Sequence, residues 1–143
     1  MVASTGNAGS AMDALIFTYA DDSVKHYGST GGNPQENALE LASDEYITQI
    51  DQIRFDQEPY KCWSGIRIVT NKNNEISFSG GEDITNWINA SDSFVAPDGE
   101  QIYGLELWDY SLNNGSGGSC ENTDCTGTWN QKHGIIRIIT DSG

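Results

Sequence analysis

The chain has 143 residues, with 21 Asp or Glu against seven Lys or Arg, and so carries a formal net charge of −14. That balance repels a phosphate backbone or an anionic membrane surface, and the basic residues Lys25, Arg54, Lys61, Arg67, Lys72, Lys132 and Arg137 are too dispersed to reverse it, which argues against nucleic-acid binding. A hydrophobic share of 36% suffices for one packed domain over 1–143, no apolar run approaches the roughly 20 residues of a membrane span, and Met1 to Thr5 lack the basic and apolar regions of a signal peptide.

In chain order, Gly9-Ser10-Ala11-Met12-Asp13 reads as a short loop carrying one carboxylate. The strand predicted over Ala14–Tyr19 places Leu15, Phe17 and Tyr19 on one face, as a half-buried antiparallel strand requires. A second strand, Val24–Tyr27, runs into the glycine loop Tyr27-Gly28-Ser29-Thr30-Gly31-Gly32. An aspartate flanked by accessible backbone N–H groups and facing such a loop can hold a neutral polyol. Its carboxylate accepts from two adjacent hydroxyls while the backbone donates to sugar oxygens, and no acid–base chemistry is needed.

Asn33-Pro34-Gln35-Glu36 carries the polar cap, proline and glutamate of a helix start. The segment is soon bounded by Ser43-Asp44, and its alternation favours a strand over Leu39–Leu41. Within Tyr46–Phe55 the apolar phase changes, with Ile47 and Ile50 on opposite faces of a regular strand, which predicts a bulge. Further strands are predicted over Ile66–Thr70, Ile76–Phe78, Ile102–Trp108 and Ile135–Thr140, and their spacing reads as an all-β sandwich, barrel or prism. Residues 110–132, rich in Gly and Asn, read as a long surface loop that Cys120 and Cys125 are close enough in sequence to pin with a disulfide, leaving Cys62 over. Such a bridge belongs to an oxidising compartment, and the acceptor patterns Asn89-Ala90-Ser91 and Asn114-Gly115-Ser116 also fit secretion.

Catalysis has little to stand on. His26 and His133 lack a nucleophile motif, and no spacing marks a pair of working carboxylates. Cys120, Cys125 and His133 lack a fourth zinc ligand, and no calcium-loop pattern occurs, so binding without metal or cofactor is expected. Trp63, Trp87, Trp108 and Trp129 fit core or sheet-end positions better than sugar stacking. Tyr27, bordering the glycine loop, suits either a ligand contact or a buried strand.

The run from Gly9 to Tyr19, then His26 to Gly32, Glu45 to Ile50 and Gly65 to Lys72, resembles the jacalin-related lectins, with Phe78-Ser79-Gly80-Gly81 resembling a later glycine turn. The resemblance fades after residue 82. It implies a β-prism I fold of three Greek-key-like antiparallel sheets and a sugar-binding, non-catalytic role. In the mannose-binding members a GxxxD loop lies beside a glycine-rich loop. Carried to this chain, Asp13 accepts from two sugar hydroxyls, the N–H groups of Ser10 and Ala11 donate, and Gly32 donates from the opposite loop. Glycine at 31 and 32 leaves room for close backbone approach or for a positive φ. The ligands implied are mannose- or glucose-type glycans on glycoproteins or cell surfaces.

This chain departs from the family pattern in two ways. Only eight residues precede Gly9, so the usual opening strand pair is expected to be missing. The C-terminal run Gly134 to Gly143 looks like the strand leading into the GxxxD loop, which suggests a circularly permuted order with that strand beside the N-terminus. A second GxxxD loop is not found, so one site per chain is expected, and a homo-oligomer would then supply avidity. The divergent second half also fits a β-prism that serves as a structural or targeting module of a larger secreted protein, with no functional sugar site.

Overall fold

A computed structural model of the chain describes residues 3–8, 12–28, 33–34, 38–54, 63–79, 92–107 and 135–141. The first sheet holds β1 (Ala3–Ala8), β2 (Met12–Thr18), β3 (Val24–Gly28), β4 (Asn33–Pro34) and β5 (Leu39–Glu40) in the order β3-β2-β1-β4, with β5 also paired to β1. Because β4 pairs with Asn7–Ala8 and β5 with Ala3–Ser4, the two short strands share one lane along β1. Three hairpin-connected strands followed by a return beside the first make a Greek key. The helix-like signal at Asn33-Pro34 yields to an edge lane, where a sheet tolerates a residue without an N–H.

The second sheet repeats this path with β6 (Ile47–Arg54), β7 (Trp63–Thr70), β8 (Glu75–Ser79) and β9 (Asp92–Val95), ordered β8-β7-β6-β9. Leu15, Phe17 and Tyr27 of the first key correspond to Ile66, Ile68 and Phe78 of the second, all buried at the same spacing. The hairpin turns correspond as well, with Asp22 at φ 67° and Asn73 at φ 63° in the left-handed region that short polar side chains tolerate. In the third sheet β10 (Gln101–Leu107) pairs antiparallel with β11 (Ile135–Asp141).

Two expectations are corrected. The residues before Gly9 are themselves a strand, β1, which had no apolar alternation to reveal it. The C-terminal strand pairs with β10 and closes the third sheet, and it is β1 that leads into the Gly9 loop. The bulge expected near Ile47 is present. Ile47 pairs with Thr70 and Gln49 with Val69, leaving Thr48 as the extra residue, and so both Ile47 and Ile50 turn inward to full burial.

The interior is filled by Leu15, Phe17, Tyr27, Leu39, Ile47, Ile50, Ile66, Ile68, Phe78, Ile102, Leu105, Leu107 and Ile135. Buried polar groups tie the sheets together. Gln52 is wholly buried, and its amide pairs with the backbone of Ile135 in both directions. Nε2 donates to the Ile135 carbonyl at 2.7 Å, and the Ile135 N–H donates to Oε1 at 2.8 Å. Nε2 also donates to Asp92 at 2.8 Å. The side chain thereby acts as a piece of strand between the second and third sheets.

Between the first and third sheets the tie is made of tyrosines. The Leu105 N–H bonds the Tyr27 hydroxyl, which bonds that of Tyr19, and Tyr19 donates to the Tyr103 carbonyl. Burial pushes both hydroxyls above the ordinary tyrosine range. Gly104 leaves room for this, because a Cβ there would lie 3.1 Å from the Tyr27 hydroxyl.

A third tie fixes the β7–β8 turn to the connection between the first two keys. The Glu45 carboxylate accepts from the Thr70 hydroxyl and the Asn74 amide at 2.7 Å each, and from the Ala42 N–H at 3.2 Å. Asn71 adds a bond from the Tyr46 N–H to its Oδ1 at 2.9 Å, and Lys72 pairs with Asp44 at 2.6 Å.

Replacing Gln52 by Leu is expected to lower unfolding stability by about 2–4 kcal/mol, read from urea denaturation, because it orphans both backbone groups of Ile135 in a buried setting. Glu45 is held below the usual carboxylate range, first by the Thr70 hydroxyl and then by Asn74 and Ala42. Its contribution is therefore fully present above the unfolded value of about 4.3 and is lost as pH falls through the folded value. Urea midpoints of wild type and Glu45→Gln should differ at pH 7 and converge on acidification.

Candidate functional site

The register brings the two loops of interest to one end of the first sheet. Asn7 pairs with Ala14 on one side and Pro34 on the other, Ala8 pairs with Met12 and Asn33, and Ala14 pairs with Gly28. The connection 9–11 between β1 and β2 and the connection 29–32 between β3 and β4 therefore leave the sheet at the same end. Asp13 lies where the β1–β2 register shifts. Asn7 takes Ala14 and Ala8 takes Met12, so Asp13 is the additional residue of a bulge. Bulges re-aim a side chain and sharpen local twist, and they gather at rims of sheets next to functional sites. Met12 and Asp13 thus belong to β2, which starts two residues before the strand expected at Ala14.

The support beneath this end is rigid. Leu15 and Phe17 are completely buried, and the Phe17 and Tyr27 rings meet edge to face with centroids 5.5 Å apart. Tyr27 is only 4% exposed and packs in the core, which removes it as a sugar-contact candidate. Lys25 covers its ring at 5.7 Å.

Of the expected site residues, the backbone of Asp13 is described, while Ser10, Ala11, Gly31 and Gly32 lie outside the described residues. Also outside them lie the segment 110–132, the three cysteines with the suggested Cys120–Cys125 bridge, His133, both glycosylation patterns, and Trp87, Trp108 and Trp129. Trp63 is described as backbone of β7. Among the described residues no group of three or more His, Cys, Asp or Glu side chains could hold a metal ion.

The second key shows what the sequence did not reveal by itself. Its β6–β7 ladder shifts register between Ile53, opposite Gly65, and Arg54, opposite Trp63, so that Ser64 occupies the place of Asp13. The first two keys build the same bulge, and only the first puts a carboxylate-bearing residue on it.

The sequence matches the jacalin-like lectin domain family over residues 4–106, from β1 to the end of β10. The chain belongs to the jacalin-like lectin domain family. The match extends well past residue 82, where the sequence resemblance had faded, and takes in the whole second key. Among solved structures, this jacalin-like domain is similar to Malaysian banana lectin, at 25% identity over 71% of this chain and 68% of that one with a TM-score of 0.49. A variant of the same banana lectin matches at 24% identity over 71% and 67%, with a TM-score of 0.49. Calystegia sepium agglutinin matches at 19% identity over 71% and 69%, also with a TM-score of 0.49. No curated protein sequence matches the chain. The all-β architecture of three antiparallel sheets is that of the jacalin-like β-prism, and membership of the family implies a non-catalytic, carbohydrate-binding domain.

Tyr27→Phe should separate support from contact. Losing the hydroxyl orphans the Leu105 N–H and should cost about 1–2 kcal/mol in chemical denaturation, while glycan affinity in titration calorimetry stays unchanged.

Proposed function

We propose that this domain is a metal-independent lectin for mannose- or glucose-type glycans, with its sugar site at the end of the first sheet where the connections 9–11 and 29–32 leave together. In this reading the Asp13 carboxylate accepts hydrogen bonds from two adjacent sugar hydroxyls. The N–H groups of Ser10 and Ala11 donate to sugar oxygens from one side, and Gly32 donates from the other. Gly31 and Gly32, lacking a Cβ, let the backbone come within hydrogen-bond reach of the ring.

The observation that carries the reading is the bulge. An aspartate inserted as the additional residue of a ladder, between two strands that each run into one of the two loops, is a defined anchor on a rigid sheet. Pairing a carboxylate with vicinal hydroxyls uses charge-assisted hydrogen bonds, which are about twice as strong as neutral ones. Such a site asks nothing of a metal and transfers no proton. The proposed partners are glycans on glycoproteins or cell surfaces, and residues 1–143 act as one domain.

Titration calorimetry with methyl α-mannoside in the presence of EDTA tests this directly. Wild type is expected to bind, galactose to bind more weakly, and Asp13→Ala to lose affinity by about 100-fold or more, since two hydrogen bonds to a charged acceptor disappear. Undiminished binding by a folded Asp13→Ala protein would move the site elsewhere.

A further inference from the structure

The turn aspartates differ in what holds the residue after them. The N–H that follows Asp21 donates to the Tyr19 carbonyl, the one after Asp22 to the Asp21 carboxylate, and the one after Asp44 to the Ala42 carbonyl, each at 3.0 Å. Asp98 is different. It forms the one aspartate–glycine pair in the sequence, and Asp98-Gly99 is the exposed middle of the turn between β9 and β10. The Glu100 N–H donates to the Pro97 carbonyl at 2.9 Å and Gly99 stands at φ 82°, which is the geometry of a type II turn. Among the described residues neither the Asp98 carboxylate nor the Gly99 N–H is engaged in a hydrogen bond. A Cβ built on Gly99 would meet nothing within 4 Å.

We propose that Asp98-Gly99 is a site of spontaneous covalent modification, where the Gly99 nitrogen closes on the Asp98 side chain and the main chain is rerouted through it as isoaspartate. The N–Cγ bond forms as a Cγ–O bond breaks, and the oxygen leaves as water with the amide proton and the acid proton. Water then opens the succinimide ring. Attack at the former main-chain carbonyl breaks its bond to the Gly99 nitrogen and leaves isoaspartate, while attack at the other carbonyl restores aspartate, so no co-reactant is consumed. Closure requires Asp98 to rotate about its Cα–C bond out of the type II turn. That rotation gives up one hydrogen bond, Glu100 to Pro97, and meets no packed neighbour at Gly99, where glycine accepts the new φ. The product has one more methylene in the main chain between two anchors. Ala96 is buried and its N–H donates to the Thr48 carbonyl at 2.9 Å, and the Glu100 carboxylate accepts from the Thr140 hydroxyl at 3.0 Å. The turn absorbs the methylene between them, and the molecule becomes a substrate for an L-isoaspartate methyltransferase. None of this rests on the proposed sugar site.

Peptide mapping with an endoproteinase that cuts before aspartate and not before isoaspartate tests the site. Fresh protein should release 92–97 and 98–108, whereas folded protein kept for several weeks at body temperature should accumulate an uncut 92–108 of unchanged composition. An L-isoaspartate methyltransferase should methylate that fragment. Its rate of formation should lie within about tenfold of that in a synthetic peptide of the same residues, as an exposed turn without local protection requires. Gly99→Asn keeps the turn, since asparagine accepts a positive φ as Asn73 does, and its Cβ hinders closure, so the uncut fragment should fall by about tenfold or more. An uncut fragment that never appears overturns the proposal. So does one that forms readily in the peptide but not in the folded protein, which would mean that the fold protects the turn, and so does one that forms equally in Gly99→Asn.

Discussion

One side-chain amide holds the second and third sheets in register. Gln52 stands at an inward position of β6 where an apolar residue would be expected, and it pairs with both backbone groups of Ile135 across the interior. A buried amide without partners would be costly, and here both partners are main chain, fixed in β11. The interaction thus sets where β11 begins along β6. Because β11 is laddered to β10, it also sets the height of the β10–β11 pair. The tyrosine chain from Leu105 through Tyr27 and Tyr19 to Tyr103 does the same work between the first and third sheets. Apolar packing fills the prism, and these directional bonds choose one arrangement of it.

The proposed sugar end depends on this framework at one remove. Tyr27 is buried on β3, immediately before the strand passes into the glycine loop, and its ring is locked against Phe17 of β2. Apart from Asp13 on β2, the residues that would touch a ligand sit on connections, while those that fix where the connections start lie in the core. The bulge at Asp13 belongs to the framework too, since it is a property of the β1–β2 register.

Much of this was legible in the sequence. Strands with large alternating side chains were readable because their burial is written in the pattern, as in Leu15-Ile16-Phe17 and Ile76-Ser77-Phe78, and the β6 bulge was readable because Ile47 and Ile50 break phase. β1 was not, since Ser4 and Gly6, its buried residues among those whose side chains are described, are too small to write an apolar period. Ser4 is buried with its hydroxyl unpartnered, in the position that Ile50 fills in the second key. β4 pairs through two residues and β9 is four long, too short for a period to emerge. The role of Gln52 could not be read at all, because its partner is far along the chain and glutamine at a strand position carries no local signal. The family resemblance supplied the likeness of Asp13 and the glycine loop to a sugar site, and the register then gave Asp13 a structural reason to stand out.

The Greek-key plan also bears on how the chain reaches this structure. Among the described residues every ladder pairs strands of a single sheet, with β5 returning to β1, β9 to β6 and β11 to β10. No backbone ladder among the described residues crosses from one key to another. Loop closure for each sheet is therefore confined to its own segment, which keeps the sequence separation of contacts lower than in a sandwich whose strands alternate between sheets. The contacts that join the keys, through Gln52 and Ile135 and through Tyr19 and Tyr103, are the ones of long sequence separation.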